Sequence, residues 1–154
     1  MKAEKTHKMK NKIIFYCSFL TVIIFATACR KDISLPDQNL KKLFGTWEWV
    51  QSSGGFSGQT ITPVSEDYSM SVEYTEKGVY RKYKDGKKIS KLNFKIEERA
   101  TIAISDFKFL IDYREGPCSK VGVNSQSFRF GGTDTLFLND DCYDCFSHIY
   151  VRKK

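Results

Sequence analysis

The residues best suited to chemistry gather near the C-terminus. Cys142 and Cys145 form a C-x-x-C among Asn139, Asp140, Asp141 and Asp144, with His148 close behind. Redox-active pairs of this type place the first cysteine at a helix N-terminus, where the dipole lowers its pKa. Here the pair falls in a turn between two strand-like runs, and the surrounding carboxylates raise a thiol pKa by like-charge repulsion. The same group contains metal-ligand types, but its spacing fits neither an EF-hand loop nor a Cys/His zinc pattern. A solvated acidic turn is the expectation. Cys118 adds a third thiol, and the favoured bridge runs from Cys118 to Cys142 or Cys145, tying two loops at one end of the fold and contributing ~2–4 kcal/mol. Glu97-Glu98 and Asp140-Asp141 are paired acids, but adjacent residues on a strand point to opposite faces. No G-x-S-x-G, H-E-x-x-H or Gly-rich phosphate loop is present. These patterns exclude the familiar catalytic classes, so the chain is expected not to be an enzyme and to need no metal or cofactor.

The N-terminus is a different kind of signal. Lys2, Lys5, Lys8, Lys10 and Lys12 face a single acid, Glu4, and residues 13–28 carry no charge. A basic stretch, then an apolar stretch shorter than the ~20 residues of a comfortable span, is the pattern of a signal peptide. Ala26-Thr27-Ala28-Cys29 resembles the lipobox of bacterial lipoproteins, although Ala26 stands where leucine is usual. The resemblance implies cleavage before Cys29, acylation of its sulfur with palmitate-type chains, and a membrane anchor in the cell envelope, on an outer membrane facing the periplasm or the surface. That compartment permits disulfides. Five of the lysines behind the net charge of +7 lie in this signal, so the rest is only mildly basic and no nucleic-acid partner is expected.

The remaining chain divides into Cys29 with a mobile tether to residue 43, ending in a short turn of helix, and one domain over 44–154. From Phe44 onward short β-branched and aromatic runs alternate with polar residues at period two. The expected strands are 45–52, 69–75, 79–84, 88–97, 107–113, 124–130, 134–139 and 146–152. Glu76-Lys77-Gly78, Lys84-Asp85-Gly86 and Gly131-Gly132 supply the turn chemistry of sequential hairpins. The fold class is therefore all-β, an eight-stranded antiparallel up-and-down barrel following a cleaved N-terminal signal. Closure removes exposed strand edges.

Gly45-Thr46-Trp47 at the start of the first strand and Arg152 near the end of the last resemble the lipocalin and calycin pattern, in which an arginine closes the barrel floor beneath a G-x-W tryptophan. The run Gly45 to Pro63, with the ending Asp134 to Arg152, is similar to lipocalin-like lipoproteins of Bacteroidota-type bacteria. The resemblance implies a structural Trp47–Arg152 pair and a cavity for a small hydrophobic ligand. Met70, Val72, Tyr74, Leu92, Phe94, Ile96, Phe107, Phe109, Ile111 and Tyr113 would line it. Tyr74 and Tyr113 are the most informative, because a buried phenol needs a hydrogen-bond partner that a ligand can provide. Twelve Phe and eight Tyr favour a lumen filled by its own side chains. The alternative is then a solid barrel that contacts another envelope protein or a glycan through residues 53–68 and 114–123.

Overall fold

Period-two alternation becomes strand wherever a tight turn can reverse the chain, and this chain reverses repeatedly. The computed structural model describes residues 33–98, 107–116, 124–142 and 144–154. Nine strands follow: β1 (Gly45–Gly54), β2 (Gln59–Ile61), β3 (Met70–Tyr74), β4 (Val79–Lys84), β5 (Lys87–Glu98), β6 (Phe109–Arg114), β7 (Asn124–Gly131), β8 (Thr135–Asp140) and β9 (Phe146–Arg152). From β3 to β9 each strand pairs antiparallel with its sequence neighbours, and β1 pairs with both β3 and β9. Eight strands therefore form a closed antiparallel barrel. Its two ends are the floor, where β1 begins and β9 finishes, and the mouth, where β1 finishes.

Asp85 and Gly86 have φ of 49° and 73° between the paired ends of β4 and β5. Two positive φ angles in a two-residue loop are what the right-handed twist of a hairpin demands. At Gly54 the constraint is proximity, since an added Cβ would stand 2.3 Å from the Cys145 carbonyl oxygen. Glycine lets β1 and β9 stay paired to the mouth.

Two short elements escape the periodicity. β2 pairs with Ser52–Gly54 of β1, and residues Pro63–Glu66 form one helical turn. That turn starts on a reciprocal capping box between Thr62 and Ser65, with Pro63 in the first turn. β6 begins at Phe109, so the inward alternation does not extend back to Phe107. Phe107 sits half-buried beside Arg129, outside the core cluster.

The segment expected to be a mobile tether is packed from residue 33 onward. A 3-10 helix, Gln38–Leu43, is capped by Asp37, whose carboxylate accepts from the Asn39 amide at 2.8 Å. Leu40 and Leu43 are buried, and Ile33 and Leu35 pack on the same core. Four leucine and isoleucine side chains gain more from covering the floor than the linker gains in freedom. Residues 29–32 lie outside the described residues.

The floor is a polar clasp around an aromatic. Trp47 is fully buried and donates its indole N–H to the Leu43 carbonyl at 2.8 Å. The Arg152 guanidinium lies 4.2 Å from the Trp47 ring centroid and donates to the Phe44 carbonyl at 3.2 Å and to the Lys42 carbonyl. One side chain thus joins β9, β1 and the helix. Arg152→Ala should lower the stability of the Asp32–Lys154 unit by about 2–3 kcal/mol in urea unfolding followed by circular dichroism. Arg152→Lys should recover only part, because one ammonium cannot cover the ring and reach both carbonyls.

Candidate functional site

The inward faces divide the lumen into an apolar lower part and a polar upper part. Near the floor Trp47 stacks on Phe130 at 6.2 Å, and Phe128 meets Phe130 edge-on at 5.7 Å. At mid-height Tyr74 has Phe94 at 5.2 Å and Tyr80 at 5.3 Å, and Tyr80 meets Tyr113 at 4.8 Å. These separations are those of rings in contact. Of the residues expected to line a cavity, Val72, Tyr74, Phe94, Ile96, Ile111 and Tyr113 are buried in one core cluster. Met70, Leu92 and Phe109 pack against it, partly exposed. The apolar lining residues thus lie against one another.

Above them a chain of hydrogen bonds crosses the barrel. Trp49 donates its indole N–H to Ser52 Oγ at 2.8 Å, so the single Ser52 hydroxyl proton is left for His148 Nδ1 at 2.5 Å. The imidazole then carries its proton on Nε2, facing Asp140 Oδ2 at 3.3 Å. From the other side Tyr113 donates to Gln126 Oε1 at 2.7 Å, and Gln126 Nε2 donates to Asp140 Oδ1 at 2.7 Å. Tyr74 completes this arm by donating to the Tyr113 oxygen at 2.7 Å. Both arms end on one carboxylate. Burial raises the Asp140 carboxyl, but the hydrogen bonds from His148 and Gln126 and the positive charge of Lys82 outweigh it and hold it below the usual range.

The phenol partner expected from a ligand is therefore supplied by the protein: Tyr74 and Tyr113 bond each other and Gln126. The Ser52, His148 and Asp140 sequence has the order of an activated hydroxyl, which sequence spacing could not show because the three lie on β1, β9 and β8. Ser52 is 2 % exposed and its oxygen is already occupied by Trp49 and His148. Its geometry is that of a donor relay to Asp140, with no face open to a substrate.

Two phenols stand outside the relay. Tyr80 on β4 and Tyr150 on β9 lie on inward faces, opposite Tyr74 and Leu136, and Asp140 acts electrostatically on both. Neither hydroxyl has a hydrogen-bond partner among the described residues, yet no buried side-chain oxygen is sealed without one. Each hydroxyl therefore retains access to space inside the mouth. Burial first, then the Tyr150 and Asp140 charges for Tyr80 and the Asp140 charge for Tyr150, push both phenols up, so they stay protonated.

The C-x-x-C forms its own bridge. Cys142 is bonded to Cys145, with Cα atoms 5.5 Å apart, which corrects the favoured pairing with Cys118. The turn that brings them together has Asp144 at φ 54°, a conformation aspartate tolerates. Cys118 and Cys29 lie outside the described residues. Among the described residues no three His, Cys, Asp or Glu side chains gather to hold a metal. A cleft of about 530 Å3 between the 3-10 helix and the ends of β5 and β6, with Asp37, Glu98 and Lys108 on its walls, lies at the floor, away from the relay.

Compared with protein-family models, with curated proteins and with solved structures, the chain gives no match. The site therefore rests on its own geometry.

Two outcomes check it. The folded Asp140 carboxyl titrates below its unfolded value of about 3.9, so its stabilisation is complete above that pH and is lost as pH falls through the lower folded value. Asp140→Asn should flatten the acid limb of stability below about pH 4, measured by urea unfolding across pH. In oxidised protein, alkylation followed by peptide mapping should recover Cys142 and Cys145 linked to each other.

Proposed function

We propose that the chain is an envelope-anchored binding protein that takes a small polar molecule into the mouth half of its barrel. One observation carries this reading: the hydroxyls of Tyr80 and Tyr150 face the upper lumen without a protein partner, while every ring below them is packed. A phenol kept open to space with no protein partner offers a donor that a polar ligand can take up in place of water. The apolar cargo implied by the lipocalin resemblance is set aside for a polar one, because the faces meant for it lie against each other. Anchoring through Cys29 is supported by the lipobox-like segment.

A second reading draws on Phe56 and Val64, which are 99 % and 91 % exposed on the 53–68 segment at the rim. Isolated apolar side chains there suit contact with another envelope protein.

The test is native mass spectrometry of the Asp32–Lys154 unit, which contains the whole closed sheet and its core, purified from the periplasm with whatever it retains. A discrete bound molecule is expected. Tyr80→Phe with Tyr150→Phe should weaken its binding about tenfold or more while leaving the melting temperature within a few degrees, because those hydroxyls bond no described residue. Tyr113→Phe, which cuts the relay, should instead destabilise by about 1–3 kcal/mol. A clean apo mass, with the double variant as stable and as silent as wild type, would refute ligand binding in favour of rim contact.

A further inference from the structure

Cross-strand partners share a face of the sheet, and Lys82 on β4 lies opposite Val72, which is 1 % exposed in the core. Lys82 therefore points into the lumen. β4 and β8 are separated by β5, β6 and β7 on one side and by β3, β1 and β9 on the other, so Lys82 and Asp140 stand on opposite walls. Their charges act on each other. They nonetheless form no ion pair, and Lys82 has no hydrogen bond to any described residue, whereas nearby cations are committed: Arg81 binds Glu73 at 2.8 Å on the outer face, and Lys84 covers the Tyr68 ring at 3.8 Å.

A lone ammonium facing an ionised carboxylate across a gap is an unfilled electrostatic arrangement. The rigid ladders of β4 and β8 keep the two apart, and an eight-strand barrel is wide enough for one small ligand between its walls. Tyr80 and Tyr150, protonated and on inward faces, both feel the Asp140 charge. Asp140 already accepts from His148 and Gln126, but a carboxylate has about four lone-pair positions and can take a further donor.

We infer that the mouth binds a dipolar molecule, with an anionic group held by Lys82 and the two phenols and a cationic or N–H donor group directed at Asp140. This rests on the ligand-binding reading above and adds the ligand's charge pattern. A simple anion would meet Lys82 but be repelled by Asp140; a simple cation would meet the reverse. Only a molecule carrying both charges satisfies both walls, and its length is set by the width of one barrel lumen. A short amino acid whose amine and carboxylate are separated by a small spacer has that form.

The experiment is calorimetric titration of the Asp32–Lys154 unit with three probes that share a three-carbon skeleton: β-alanine, propionate and propylammonium. β-Alanine should bind at least tenfold more tightly than either single-charge probe. Lys82→Met should erase that preference with the fold retained by circular dichroism, because the ammonium makes no hydrogen bond or ion pair with any described residue. Propionate or propylammonium binding as well as β-alanine would overturn the dipolar assignment, as would an unchanged β-alanine affinity in Lys82→Met. If all three probes fail while native mass spectrometry still finds a retained molecule, the binding site stands and the dipolar assignment falls. If no molecule is retained and no probe binds, both readings fall together.

Discussion

The β1–β9 ladder is the constraint on which everything else depends. It runs from Trp47 opposite Arg152 to Gly54 opposite Phe146, and without it the meander would be an open sheet with two bare edges and no lumen. Its floor end is held by a side chain as well as by the backbone: Arg152 spans the Trp47 ring and two carbonyls of the preceding chain. Its mouth end depends on the absence of a side chain at Gly54. Between them a register shift at Val50 lets Trp49 and Ser52 face the same lumen, which strict alternation would forbid. That bulge is what permits the bond from Trp49 to Ser52 and hence the start of the relay.

The closed barrel then sorts its interior by what each level can satisfy. At the floor the helix residues Leu40 and Leu43 are buried in the core, and the filling is aromatic and aliphatic. Higher up, polar groups are admitted only as a connected set. Two donor arms converge on Asp140 from β1 and β9 on one side and from β3, β6 and β7 on the other. A partly buried carboxylate is tolerable there because its charge is met by the hydrogen bonds from His148 and Gln126 and by the Lys82 ammonium. The outer wall solves the same problem differently, with Glu73 receiving both Arg81 and Tyr83 at 2.8 Å.

Much of this was legible from the residues. Alternation places Val72 with Tyr74, Phe94 with Ile96 and Ile111 with Tyr113 on buried faces, and the structure buries all six. The Asp85-Gly86 reversal is written in residue types that accept positive φ. The missed elements, β2 and the turn at Pro63–Glu66, are three and four residues long, too short to show a period. The tether was misread because a few apolar residues among charges resemble a linker until a barrel floor exists to receive them. Cys142 and Cys145 were visible, but their bridge to each other depends on a local turn that spacing alone does not decide.

By itself the sequence determined the fold class, the order of the barrel strands and the inward face of β3, β5 and β6, because period-two alternation and turn chemistry are local properties. Only the tertiary structure decided what meets across the lumen. Ser52, Lys82, Gln126, Asp140, His148 and Tyr150 come from β1, β4, β7, β8 and β9, and none signals its neighbours in a linear reading. Closure makes opposite walls adjacent, and the chemistry of the mouth arises from that adjacency.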